Sequence, residues 1–313
     1  MAGAAGADEP VRYGCRTGRE ISDELRVRIE AAGRRALRWI AARRAEELFD
    51  AAHPLLRDSL PRQELARRLE AWAALVRRPA EARIGRLLLL DATGGRDRVW
   101  TVLCRQGPGP DPEPIVLHLK LADERVALAE FRMSGRPDGT RMVLELREVA
   151  GGFGVADVEP RLASWLGRRA AFYVERARSR ASTRPLLADL DYAVAAHLEG
   201  LGPKVSTPAE RRIAALRREL RERTGFRRAL RLGSSGGGGA VELLDLGVAV
   251  AGRGLVPRVA WRARPGAADP GAARTVRDRL LEAIPELAFE FGRVLVVPAG
   301  SGDAAAGWLL PLS

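Results

Sequence analysis

After residue 85 the apolar residues stop recurring every three or four positions and recur every second one instead. A helical period cannot settle as a strand, nor an alternating one as a helix, so this switch divides the chain into unlike parts. Before it, Leu25, Ile29, Ala36, Ile40 and Leu48 fall near helical spacing behind Ser22, a good N-cap. This predicts one helix from Ile21 to about Ala52, stopped at His53-Pro54, because the residue before proline disfavours helical angles. A second helix is predicted from Pro61, with Leu65, Leu69, Trp72 and Val76 on one face and Pro79 closing it. After the switch, strands are predicted over residues 86–91, 98–105, 115–121, 125–133 and 140–149. The first half thus reads as two helices followed by five antiparallel strands.

The middle returns to helical spacing. Helices are predicted over 161–180 (Leu162, Trp165, Leu166, Phe172 and Tyr173 on one side), 186–198 and 208–223, the last with Thr207 as N-cap and Pro208 at the first helical position. The last part alternates at 226–232, 240–251 and 255–263. A helix through Leu281 starts at Asp269-Pro270, a strand follows at 293–297, and an edge strand closes at 308–312. Residues 1–22, rich in Gly and Ala, read as a flexible tail. The expected layout is a cone-like α+β domain over 23–150, a basic helical segment over 151–225 and a C-terminal α/β unit over 226–313. Gly233–Gly239 reads as a hairpin loop, since no lysine or following helix supports phosphate cradling.

No apolar run nears the ~18–20 residues that a membrane helix needs. The first ten residues have neither a basic start nor an apolar core, so a cytoplasmic protein is expected. Cys15 and Cys104 are isolated; no disulfide framework and no metal spacing is expected, and Cys104 reads as a buried thiol. The formal charge of +12 is carried almost wholly by arginine, since only Lys120 and Lys204 are lysines. Residues 209–231 hold nine arginines against three glutamates, half of the net excess.

The order helix, helix, curved antiparallel sheet over 23–149 resembles the nuclear transport factor two-like (cystatin-like) superfamily. The residues that carry the likeness are Ala45-Glu46-Glu47-Leu48-Phe49-Asp50, Leu60-Pro61-Arg62-Gln63-Glu64-Leu65 and the paired strands Ile115–Leu121 and Val126–Phe131. The resemblance implies a cone enclosing a pocket and does not choose among isomerases, dehydratases, ligand binders and assembly modules. Residues 208–298, as helix, three strands, helix and strand, are similar to a restriction-endonuclease-like core. That likeness implies a metal held by an Asp on the second strand and a Glu-x-Lys on the third. Asp245 stands in the first place, but Trp261/Ala263 or Arg262/Arg264 stand in the second, so a silent core is expected.

Trp100 and His118 are the candidate pocket-lining residues, His118 because imidazole titrates near neutrality. An ordinary polar strand face is the plainer reading for His118. His197, near a helix end, reads as an imidazolium suited to the helix dipole. Asp189 and Asp191, two apart, point to different helix faces and so make no acid–base pair. Arg211, Arg212, Arg217, Arg218 and Arg221 surround the apolar line Ile213, Leu216 and Leu220 and are the anion-binding candidates. No complete catalytic constellation is found, and no cofactor or metal is implied. The leading expectation is a non-catalytic interaction or assembly protein with a protein partner or a second copy. Nucleic-acid or polyanion binding through 208–223 is the alternative, and a pocket enzyme of isomerase or dehydratase type the second alternative.

Overall fold

The computed structural model describes residues 14–76, 78–92, 98–105, 113–122, 124–135, 137–225, 230–232, 241–262, 269–299 and 307–312. In chain order, the first part holds β1 (Gly14–Thr17), α1 (Asp23–Ala41), α2 (Ala45–Asp50), α3 (Pro54–Ser59), α4 (Arg62–Ala73), β2 (Arg83–Asp91), β3 (Arg98–Cys104), β4 (Ile115–Leu121), β5 (Arg125–Met133), β6 (Thr140–Val149) and β7 (Gly152–Leu162). The rest holds α5 (Ala170–Arg180), α6 (Pro185–Glu199), β8 (Val205–Ser206), α7 (Pro208–Thr224), β9 (Leu230–Leu232), β10 (Val241–Ala251), β11 (Gly254–Trp261), α8 (Pro270–Ala283), α9 (Leu287–Glu290), β12 (Arg293–Pro298) and β13 (Trp308–Pro311). The chain is an α+β protein with curled antiparallel sheets.

The five strands predicted over residues 86–149 lie in two stacked sheets, not one. The larger runs β1-β2-β5-β6-β7, and the smaller β3-β4-β8. One face of the larger sheet, with Leu87, Leu89, Ala129, Phe131 and Leu144, packs under α1–α4. Its other face, with Leu88, Leu90, Val126, Leu128 and Val143, packs on Val102, Cys104, Ile115, Leu117, Leu119 and Leu121 of the hairpin. That is why Leu87–Leu90 reads as an unbroken apolar run: both faces of β2 are covered. Gly33, in the middle of α1, lets the Phe131 ring lie against the helix backbone, where a Cβ would overlap the ring.

Several predicted boundaries move. The opening helix breaks after Ala41, where Arg43 takes a positive φ of 56° and reaches Glu70 at 2.7 Å. Pro54 begins a further helix, and His53 caps it by accepting from the Leu55 amide through Nδ1 at 3.2 Å. Residues 152–162 form β7, and α5 starts only at Ala170; Leu166 and Gly167, both at positive φ, make the turn before it. The predicted helix over 161–180 is therefore half strand and turn. Trp165 lies outside the helix, stacked between Tyr173 and Phe291 at 5.6 and 4.8 Å.

The stretch taken for a tail carries β1, paired with β2 from Gly14↔Asp91 to Thr17↔Leu88. Cys15 is bonded to Cys104, with 5.3 Å between their Cα atoms. The reading of Cys104 as a free thiol is thereby corrected. Stacking the two sheets brings a cysteine on each edge together across 89 residues of sequence, a distance no local spacing can signal.

In the last part, the sheet order is β9-β10-β11-β12-β13, with β11 and β12 parallel across the α8 connection and the other pairs antiparallel. Leu246, Val259, Trp261, Val294 and Val296 pack with Ala273, Val276 and Leu280 of α8. The predicted residues Gly233–Gly239, Ala263 and Arg264 lie outside the described residues. No described helix is long and apolar enough to cross a membrane.

Candidate functional site

The helical middle is organised by α6, whose interior is buried almost throughout. Two residues apart, Asp189 and Asp191 leave this helix on different faces, and each meets two arginines spaced i,i+4 on a flanking helix. Arg217 and Arg221 of α7 both fork onto Asp189: their Nε atoms donate to Oδ1 at 2.9 and 2.7 Å, and their Nη2 atoms to Oδ2 at 2.8 and 2.9 Å. Both also donate to the Leu246 carbonyl of β10. On the other side, Arg176 of α5 reaches both oxygens of Asp191 through Nε at 3.0 Å, and Arg180 adds a bond at 3.1 Å. Glu290 of α9 shares these two arginines, at 3.1 and 2.7 Å.

The two clamps differ electrostatically. Burial alone would raise Asp189, but hydrogen bonds from Arg221 and Arg217 overcome it and hold the carboxyl below its ordinary range. Asp191 is raised, because burial outweighs its Arg176 bonds and Glu290 competes for the same cations. Neither carboxylate is free to act as a base. The pattern Arg-x3-Arg, Asp-x-Asp, Arg-x3-Arg at 176/180, 189/191 and 217/221 is the signal that could have revealed them.

The anion-binding candidates on α7 are thus largely turned inward. Arg217 and Arg221 hold Asp189. Arg211 donates to the carbonyls of Ser206 and Pro114 at 2.9 and 2.7 Å, fastening α7 to the hairpin sheet. Arg212 approaches Glu113 at 3.5 Å in an exposed pair, and Arg218 points to solvent. The arginine surplus here mostly serves internal carboxylates and carbonyls, which its forked donors suit.

His118 and Trp100 do not meet. Trp100 faces the interior between the stacked sheets, half-buried, whereas His118 lies on the outer hairpin face with its Nδ1 3.1 Å from Thr101 Oγ1. The leucine side of β4 packs inward, so its polar side must face out. A cavity of about 590 Å³ between α1 and β2 is lined by Thr17, Arg26, Glu30 and Arg86, and neither candidate reaches it. The outer face is nonetheless unusual. Val99 is 71% exposed and Leu103 58%, beside half-buried Val116, and β3 ends the sheet among the described residues.

His197 is not the expected imidazolium. Burial first, and the neighbouring charges of Arg161 and Arg141 second, push it well below its ordinary value. The cation at the α6 C-terminus is Arg141, whose Nη2 donates to the carbonyls of Leu198 and Gly200 at 2.6 and 3.1 Å. Asp245 is half-exposed and flanked by Arg221 at 3.6 Å and Arg258 at 3.5 Å. Its neighbours are cations, which compete with a metal for the same oxygens. Among the described residues, no group of three His, Cys, Asp or Glu side chains is placed to hold a metal ion.

These features define an α+β protein with arginine-clamped helices and an open hairpin sheet. No family model, curated protein or solved structure matches the chain.

Proposed function

We propose that this chain is a non-catalytic interaction or assembly protein that pairs with a second copy of itself through β3. The exposed apolar side chains of β3 carry this reading. Exposed edge strands are normally blunted by charge or proline, yet β3 presents Val99, Thr101 and Leu103 outward. These three are symmetric about Thr101. An antiparallel two-fold centred there sets Val99 against Leu103 of the copy twice, the self-complementarity that an isologous contact needs. Cross-strand apolar pairs of this kind stabilise a joined sheet.

The sequence reading places the protein in the cytoplasm. The Cys15–Cys104 bond favours an oxidising compartment instead, because thiols are kept reduced in most cytosols.

Light scattering of the purified chain tests the pairing. The expected mass is twice 33.9 kDa. The Val99→Glu/Leu103→Glu double variant sets like charges opposite each other and should run as a monomer that keeps the wild-type circular dichroism spectrum and still unfolds cooperatively. A monomeric wild type at every concentration, or a double variant that still dimerises, overturns the proposal.

A further inference from the structure

Where α6 and α7 cross β10 and β11 lies a cleft of about 240 Å³, and its polar lining is Arg161, His197, Glu210, Arg217, Asp245 and Arg258. Ala193, Ala196 and Gly247 leave the space between them open. The donors here outnumber their acceptors. Arginine can only donate, so the 3.0 Å contact of Arg161 Nη1 with His197 Nδ1 makes Nδ1 the acceptor and puts the ring proton on Nε2. Among the described residues, that Nε2–H is buried without a partner, and so is Arg161 Nε–H. Arg141, whose Nη2 lies 3.5 Å from the His197 carbonyl, has a buried Nε in the same condition. Three unanswered N–H groups around one histidine are exceptional in a folded interior, where nearly all such groups find an acceptor.

The cationic side of the cleft is also only partly used. Arg161 gives Nη2 to Glu159 at 3.0 Å, Arg217 spends Nε and Nη2 on Asp189 and Leu246, and Arg258 has, among the described residues, one long contact, with Asp245 at 3.5 Å. Each guanidinium comes from a different element: β7, α7 and β11. Such a convergence of forked donors matches the oxygens of a carboxylate or phosphate group. Glu210 and Asp245 in the same lining oppose a long polyanion and limit the ligand to a compact one.

We propose that this cleft binds a small oxyanion, a carboxylate or phosphate group, through Arg161, Arg217 and Arg258, with His197 holding Arg161 in place from behind. The site is distinct from the β3 edge and does not depend on self-association.

Isothermal titration of the full chain at constant ionic strength tests this, with inorganic phosphate in one arm and citrate in the other. Saturable one-site binding is expected in at least one arm, and the arm that binds names the group. Arg258→Gln, which leaves the Asp189 clamp intact, should weaken binding about tenfold or more, since a charged hydrogen bond is lost. His197→Phe, which removes the acceptor that holds Arg161 Nη1, should weaken it likewise. Binding by neither anion up to 10 mM (about the weakest affinity worth assigning to a built site), or binding that both variants leave unchanged, overturns the proposal.

Discussion

Replacing Asp189 with asparagine keeps the volume and shape of the side chain and removes its charge. The carboxylate, fully buried, accepts four N–H groups at 2.7–2.9 Å, two on each oxygen. Whichever way an asparagine turns, its NH2 group faces two arginine donors. Two charge-assisted hydrogen bonds are lost at about 1.5–3 kcal/mol each. Two guanidiniums also lose their counter-charge, and breaking a buried pair from one side costs about 3–5 kcal/mol in all. The arginines are 21% and 24% exposed, so water answers part of their charge. An expected loss of about 3 kcal/mol, toward the low end of that range, follows. Urea unfolding measures it, with Arg218→Gln on the exposed side of the same helix as control, expected within about 0.5 kcal/mol of wild type. Asp191→Asn should cost less than Asp189→Asn, because burial and Glu290 already raise its pKa. If Asp189→Asn is no worse than the control, α7 is not held by this clamp and the account of its arginines fails.

The Cys15–Cys104 bond closes a loop of 89 residues. The chain-entropy argument gives an upper value of about 4–5 kcal/mol, so a dithiol reductant should lower the urea midpoint sharply, and denatured protein should show two thiols only after reduction. Acid should also destabilise the fold. Burial lowers both His53 and His197 from 6.5, His53 against the opposing pull of Glu124. The unfolded chain therefore takes up protons that the folded one refuses, and stability is lost as pH falls below 6.5. The slope approaches about 1.4 kcal/mol per pH unit for His197. Comparing urea midpoints at pH 7.5 and 5.5 checks this, and His197→Gln should flatten the slope; an equal slope in both proteins refutes the assignment. Gly33→Ala should destabilise by about 1–3 kcal/mol through overpacking against Phe131, despite alanine's better helix propensity. Phe131→Leu in that background should recover part of the loss, as read by thermal unfolding.

Local periodicity by itself determined much of this protein. The break after residue 85, the alternation of Ile115–Leu121, the Thr207-Pro208 helix start and the order of the last five strands are all legible, because each depends on neighbours within a few positions. The different faces of Asp189 and Asp191 follow from their spacing in the same way. The partners of these residues did not follow. That Arg217 and Arg221 clamp Asp189, that Cys15 meets Cys104, and that Leu166 and Gly167 turn the chain before α5 were decided only when distant segments packed. The reason is physical. An arginine shows the same side chain to the sequence whether it faces water or a buried carboxylate, and only tertiary packing, which excludes water and brings a counter-charge to hydrogen-bonding distance, decides between the two.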